Sequence, residues 1–252
     1  MKTAVISGGA GGLGQALSTA LQAEGWRCVL LDLNTDSLER SATQHPISCD
    51  LTDEVQFAAA VEETLSTSDS IDLVIYNAGI TQIGAFAETP DQTHRKVFEV
   101  NYFAAVAMAR AFLEPLRKAQ GTHLAISSVA GFAPLYQRAA YAASKHALEG
   151  FFGSLRSEEA LHGVRTLIAA PSFVATNIGN DERQTDGIAR PGSASDGIDY
   201  MTPEDASQII LKGVARGTPL IPVGRVARLS WWINRANPRL FQRLMERNIK
   251  GL

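Results

Sequence analysis

Tyr141-Ala142-Ala143-Ser144-Lys145 sets a phenol and an ammonium four residues apart. On a helix, positions i and i+4 share a face, so the two groups can stand side by side. A phenol titrates at about 10, and a neighbouring cation favours its ionised form. Tyr141 could then exchange a proton with a substrate hydroxyl or carbonyl near neutral pH. Such pairs also occur as plain helix-surface pairs, so their surroundings decide. Ser128 lies thirteen residues earlier, where an apolar run ends. Its hydroxyl could hold a substrate oxygen and stabilise charge as it develops. The adjacent Ser127 has a plainer expected role in strand-end hydrogen bonding. Asn101 falls within a long helical pattern, where Asn is mildly unfavourable, so a specific hydrogen-bonding task is expected there.

A second group of residues suits a phosphate-bearing ligand. Ser7 to Gly14 reads SGGAGGLG, with five glycines in eight residues. Gly9, Gly11 and Gly14 fit G-x-G-x-x-G, whereas Gly8, Gly12 and Gly14 fit G-x-x-x-G-x-G, and the loop alone does not choose between them. It stands between a strand and a helix, where free N–H groups and the helix dipole hold a dinucleotide pyrophosphate. Asp32 ends the next strand, eighteen residues after Gly14. A carboxylate there accepts hydrogen bonds from both ribose hydroxyls and repels a 2′-phosphate. No Arg or Lys lies in the glycine loop or directly after Asp32. The expected cofactor is NAD rather than NADP, with Gly11, Leu13 and Leu33 among the residues around it.

These groups need a frame. Short apolar runs at 2–7, 27–32, 47–49, 71–76, 122–127 and 164–170 predict six strands. Helical patterns at 13–24, 53–66, 93–117 and 141–162 separate them. Strands apolar throughout and divided by helices require a mostly parallel sheet covered on both faces. The expected fold is therefore α/β, a doubly wound, Rossmann-type single domain. Residues 172–200 carry Gly179, Gly187, Gly192 and Gly197 amid Ser, Asp and Asn and read as a long substrate loop. Thr202, Pro203 and Asp205 then open a new helix.

The 252 residues carry a net charge of −3 and 45% hydrophobic residues, which supports a substantial core and gives nucleic acid no electrostatic foothold. Cys28 and Cys49 are read as core residues in a reducing cytoplasm, and no metal site is expected. The first apolar run is too short for a signal peptide, and no window approaches a membrane span. A cytoplasmic location is expected.

The motifs taken together resemble the short-chain dehydrogenase/reductase family, in its branch of about 250 residues, the length of this 252-residue chain. The resemblance covers residues 3–222. It rests on Ser7-Gly8-x-x-x-Gly12-x-Gly14, Asp32, Asp50-Leu51, Asn77-Ala78-Gly79, Asn101, Ser128, Tyr141-x-x-x-Lys145 and Pro171 through Thr176, all in order. It implies that Gly8, Gly12 and Gly14 are the family glycines, with Gly9 and Gly11 as permissive fillers. Tyr141 is then the general acid/base, Lys145 lowers its pKa and binds the nicotinamide ribose, Ser128 positions substrate, and Asn101 holds a relay water. Asp50 and Leu51 would line the adenine pocket, and Val174 and Thr176 would hold the carboxamide. Ser172 replaces the Gly that commonly follows Pro171, which restricts the backbone there. Ser7 for Thr and Tyr76 for a frequent Asn are milder departures.

The implied reaction is NAD-dependent interconversion of a secondary alcohol and a ketone. A cleft bordered by Ile83, Phe86, Phe132, Leu135, Tyr136, Phe173 and Ile178 suggests a fairly apolar small molecule. The alternatives are the same enzyme with NADP, or a dinucleotide-binding sensor with little turnover, against which the full acid/base set argues. By analogy a homo-oligomer, a tetramer or dimer on the two long helices, is expected. Residues 1–224 form the catalytic domain, and 225–252 are read as a basic, amphipathic helical extension of it, split by Pro238. Packing on a cleft or subunit is favoured for this tail over peripheral membrane contact.

Overall fold

The computed structural model describes residues 1–68, 70–176, 185–189 and 200–250, with side chains through 246. Its elements follow the expected alternation. β1 (Thr3–Ser7) leads through the glycine loop into α1 (Gly12–Ala23), and then come β2 (Arg27–Asp32) and β3 (Gln44–Ser48). α2 (Glu54–Ser66) and β4 (Leu73–Tyr76) follow, with a two-residue β5 (Thr81–Gln82). α3 (Asp91–Phe98), α4 (Ala104–Ala111) and α5 (Leu113–Ala119) lead to β6 (Thr122–Ile126) and α6 (Ala139–Glu159). β7 (Arg165–Pro171), a two-residue β8 (Ile188–Ala189), α7 (Pro203–Ala215) and β9 (Leu220–Val223) complete the sheet region. α8 (Arg225–Ala236) and α9 (Pro238–Lys250) form the tail.

Seven parallel strands stand in the order β3-β2-β1-β4-β6-β7-β9. Strand side chains alternate between faces, and the sheet sorts its residues accordingly. Val5, Val29, Val74 and Ala125 pack with Met108 of α4 and Leu148 and Phe152 of α6. Ala4, Ile6, Leu30 and Leu124 pack with Leu17 of α1 and Ile210 of α7 on the other side. The chain turns back across β1 to reach β4, so the ends of β1 and β4 form the switch point where doubly wound sheets bind ligands.

The sheet has one strand more than the six expected. β9 lies at an edge and contains Pro222, which an edge strand tolerates because one of its sides needs no donor. β3, at the opposite edge, runs from Gln44 rather than from 47, and its polar Gln44-His45-Pro46 hides the strand from an apolar reading. The long helix expected over 93–117 is interrupted twice. A π-helical turn at Glu99–Phe103 carries Asn101. The second break, at Phe112 (φ −100°, ψ 10°), precedes Pro115, whose ring would meet the carbonyl of residue 111 in a continuous helix. β5 and β8 pair antiparallel and tie the segment after β4 to described residues of the 172–200 region.

Candidate active site

The glycine loop is built for close approach. Gly8 has φ +64°, and a Cβ on it would lie 2.9 Å from Asn77 Nδ2. A Cβ on Gly14 would lie 2.2 Å from the Gly8 carbonyl oxygen. This favours the spacing Gly8, Gly12, Gly14 over the alternative register. Gly9 is more than a filler, since a Cβ there would sit 2.6 Å from Leu30 Cβ. The loop ends at Gly11, which gives α1 no side-chain cap, and no acid occupies the first turn. The first-turn N–H groups of a helix have no partner within it, so this loop suits an anionic pyrophosphate.

Asp32 bends back over this loop. Ala10 N donates to its Oδ2 at 2.9 Å and Leu33 N to its Oδ1 at 2.8 Å. The nearest following cation in sequence, Arg40, is engaged by Glu63 at 3.0 Å. Asp50 accepts from the amide and hydroxyl of Thr52 at 2.8 and 2.7 Å. Leu51 shares the lining of a small internal space with Ser7 and Ala78.

The ends of β1 and β4 are stitched together. Ser7 Oγ accepts from the Asn77 and Ala78 amides at 3.0 and 3.1 Å, and Asn77 Nδ2 donates to the carbonyls of Ser7 and Gly8. Asn77 thus knits the two strands, and Gly79 lies beside Asn101 and Lys145, at 3.2 Å and 3.5 Å from where its Cβ would be. At the end of β7, Pro171 leads to Ser172, whose amide and hydroxyl donate to the Val223 carbonyl at 3.1 and 3.3 Å. Ser172 therefore replaces glycine without a left-handed backbone. Val174 bridges to Met201, and Thr176 comes over the start of α1, 3.2 Å from a Cβ on Gly12.

The acid/base candidates meet beyond the end of β6. Ser128 caps a short 3-10 turn at Val129–Gly131, its Oγ accepting from Ala130 N at 3.2 Å. The Ser128 hydroxyl also stands close enough to Tyr141, in the first turn of α6, to bear on the phenol's pKa. Lys145 is buried, and its ammonium donates to the Ile126 carbonyl at 2.9 Å and lies 5.9 Å from the Tyr141 ring centre. Asn101 is held in place by three bonds: its Oδ1 accepts from Ile80 N at 2.8 Å, and its Nδ2 donates to Ile80 O and to Ser144 Oγ, both at 2.9 Å. A π turn lets a side chain aim inward at a site, and here it turns Asn101 toward the end of β4.

The electrostatics are those of the free protein, without the oxidised nicotinamide that the expected lowering of the phenol's pKa involves. In the free protein Tyr141 is raised above the ordinary phenol value by burial, against the opposing influence of the Ser128 hydroxyl and the charge of Arg138. The Lys145 ammonium donates to the Ile126 carbonyl in this state. Burial also pushes Lys145 down to about 8, and the Glu149 carboxylate opposes that fall.

Four contributors escaped the sequence reading. Ser144 links Asn101 to the Tyr141 carbonyl, accepting from one and donating to the other at 2.8 Å. Glu149 accepts from Ser127 Oγ at 2.6 Å. Arg138 is buried three residues before Tyr141. Gln82 accepts from Ala140 N at the start of α6 at 3.3 Å. Glu149 was legible, because the i+4 rule that leads from Tyr141 to Lys145 leads from Lys145 to Glu149. Arg138 and Gln82 carry no such spacing.

Around the site, Ile83 is buried while Phe86 and Tyr136 are exposed. Gly84 N donates to the Gln137 carbonyl at 3.1 Å, joining the two segments expected to border the cleft. Phe173 packs near Tyr200, with ring centres 5.8 Å apart. Ile178 lies outside the described residues. The tail packs on the segment after Ser128: Ala227 and Phe241 cluster with Val129 and Ala133, and Asn234 Nδ2 donates to the Phe132 carbonyl at 2.5 Å.

Comparison with known proteins agrees with this architecture. A family model described as short chain dehydrogenase matches residues 2–187. Dehydrogenase/reductase SDR family member 7B of Bos taurus is 32% identical over 257 residues, covering 96% of this chain and 79% of that protein. Dehydrogenase/reductase SDR family protein 7-like of Anopheles gambiae is 28% identical, covering 100% of this chain and 84% of that protein. Among solved structures, a short chain dehydrogenase from Burkholderia cenocepacia in complex with NADP superposes with TM-score 0.83 at 23% identity, covering 96% of each chain. A short chain dehydrogenase/reductase from Burkholderia phymatum in complex with NAD gives 0.82 at 21% identity, covering 95% of this chain and 94% of that one.

Proposed function

The chain belongs to the short-chain dehydrogenase/reductase family, and from that premise we propose that it is an NAD-dependent oxidoreductase interconverting a secondary alcohol and a ketone on a fairly apolar small molecule. Tyr141 is its general acid and base. The observation that carries this reading is the convergence of Ser128 and Tyr141 beyond the end of β6, with the buried Lys145 ammonium 5.9 Å from the Tyr141 ring centre.

A bound nicotinamide supplies the position that accepts or gives hydride. The remaining work falls to side chains. Ser128 holds the substrate oxygen beside the Tyr141 hydroxyl. In the alcohol direction Tyr141 takes the hydroxyl proton as the hydrogen on carbon departs with its electron pair, and in the ketone direction it returns that proton to oxygen. The Lys145 ammonium stabilises the phenolate that forms and binds the nicotinamide ribose. Asn101, fixed between Ile80 and Ser144, holds the water that connects Lys145 to solvent.

For the cofactor, Asp32 supports NAD. Its carboxylate stands at the end of β2 beside the glycine loop, where a 2′-phosphate would meet like charge. The relatives include complexes with either dinucleotide, so the preference rests on this residue. A cytoplasmic location fits two free cysteines, Cys28 and Cys49, both buried and pushed up to about 11 by burial. A homo-oligomer fits the exposed Phe103 beside a shallow surface pocket lined by His94, Arg95 and Phe98.

The test is a panel of alcohols and ketones followed at the nicotinamide absorbance with both dinucleotides. Turnover of an apolar secondary alcohol with NAD is expected, and Asp32→Ala should narrow the NAD preference by about tenfold, the value of one or two ribose hydrogen bonds to a charged group. An unchanged ratio would remove the ribose contact from the reading.

A further inference from the structure

The tail concentrates charge of one sign. Residues 225–252 hold seven of the 23 Lys and Arg but one of the 26 Asp and Glu, so the tail carries +6 and the rest of the chain −9. Its two helices already use one side each. Ala227 of α8 and Phe241 of α9 turn into the cluster with Val129 and Ala133, so the opposite sides face away from the body.

Those outward sides are unusual for a soluble surface. On α8, Leu229 is 63% and Trp232 65% exposed, three residues apart on one stripe. Exposed Arg225, Arg228 and Arg235 flank that stripe. On α9, the side opposite Phe241 carries the exposed Arg239 and Arg243, and Leu240 and Leu244, which border Phe241's side, are still 44% and 40% exposed. Trp231 braces this surface, its ring 4.9 Å from that of Trp232 and 5.5 Å from the Arg235 guanidinium. An apolar stripe bordered by arginines and bearing an exposed Trp matches an interface with hydrocarbon below and negative charge around it.

We infer that the outward face of α8 and α9 docks on an anionic lipid bilayer. The helices lie on the surface rather than across it: among the described residues no helix is long and apolar enough to span a membrane. Charge selects this occupant over a second copy of the chain. In a two-fold contact the same patch meets itself, which would set this row of arginines against its like. An anionic surface instead gains from each arginine. The inference is independent of the assigned reaction, since none of its residues belongs to the acid/base set.

The test is co-sedimentation of the full-length protein with vesicles of phosphatidylcholine alone and of phosphatidylcholine with phosphatidylglycerol. Partitioning onto the anionic vesicles should be at least about tenfold stronger and should fall as salt is raised. Trp232→Glu and Leu229→Glu each change an exposed side chain, and each should reduce partitioning about tenfold or more. Arg228→Gln and Arg235→Gln should reduce it about fivefold per charge. Circular dichroism and light scattering on the same variants report fold and assembly. Equal binding to both vesicles, or binding unaltered by Trp232→Glu, overturns the inference. So does a Trp232→Glu variant whose oligomeric mass changes while vesicle binding stays the same, because the face would then belong to a second copy. Dinucleotide turnover without vesicles, measured on these variants, keeps this outcome separate from the enzymatic reading.

Discussion

Glu149 is a carboxylate raised above its ordinary range by burial, with Ser127 donating to it at 2.6 Å. Its charge helps to hold up the pKa of Lys145, which burial brings down to about 8. In the proposed reaction Lys145 acts as a cation, so it is competent below about 8 and loses competence as pH rises through that value. The kcat/KM for ketone reduction should therefore fall above that pH. Removing the carboxylate charge lowers the Lys145 pKa further, so Glu149→Gln should move the fall to lower pH while leaving activity at pH 6 closer to that of the parent. A pH profile on both proteins checks this, and a limb that does not move would detach Glu149 from Lys145. At this scale the motif residues were legible because spacing alone names them. What spacing does not convey is direction. Lys145 was expected to act on the phenol together with an oxidised nicotinamide, and what spacing did not show is that its ammonium also donates to the Ile126 carbonyl, a contact that depends on where β6 ends relative to α6.

Elements, rather than residues, set how closely a dinucleotide can approach. β1 and α1 meet through a loop in which a Cβ on Gly14 would lie 2.2 Å from the Gly8 oxygen. Gly14→Ala should therefore displace the loop, lower stability by about 2 kcal/mol as overpacked sites do, and weaken dinucleotide binding about tenfold or more. Urea unfolding and a fluorescence titration with NADH measure the two effects, and an unperturbed titration would mean the loop does not face the cofactor. The alternation of β1, α1, β2 and β4 could be read directly, because strands buried on both faces are apolar throughout. The edges could not. β3 and β9 each carry a proline, and β3 is also polar at Gln44 and His45; an edge strand tolerates a proline because one of its sides needs no donor. The π turn at Asn101 left no propensity signal beyond the Asn itself, and β5 with β8 required a long-range pairing that two residues cannot announce. Pro115 was a visible sign of the break in the long helix, and it lies at the third position of α5.

The molecule as a whole stores a buried polar chain in its core. Tyr76 Oη shares a hydrogen bond with His123 Nδ1 at 2.6 Å between β4 and β6, and Glu159 lies buried nearby, held by Arg117 at 2.7 Å. Burial pushes His123 down to about 4. The unfolded chain takes up that proton at about 6.5, so the folded state binds fewer protons between these values. Stability from this source is present above about 6.5 and is lost as pH falls toward the folded value. Between pH 7 and pH 5 the loss should be about 2 kcal/mol. Urea denaturation at the two pH values measures it, and His123→Gln, less stable at pH 7, should lose correspondingly less on acidification. Equal losses in the two proteins would place the acid sensitivity elsewhere. This chain of groups was invisible in the sequence, because His123 and Tyr76 are 47 residues apart and meet only through the pairing of β4 with β6.

The central claim, proton transfer by Tyr141, is tested most directly by one comparison: Tyr141→Phe against the parent, measured for turnover of a responsive alcohol and for NADH affinity. The account predicts turnover reduced by about a thousandfold or more, within the range for loss of a general acid/base, with affinity changed less than about threefold. Turnover near the parental level in the variant would contradict it.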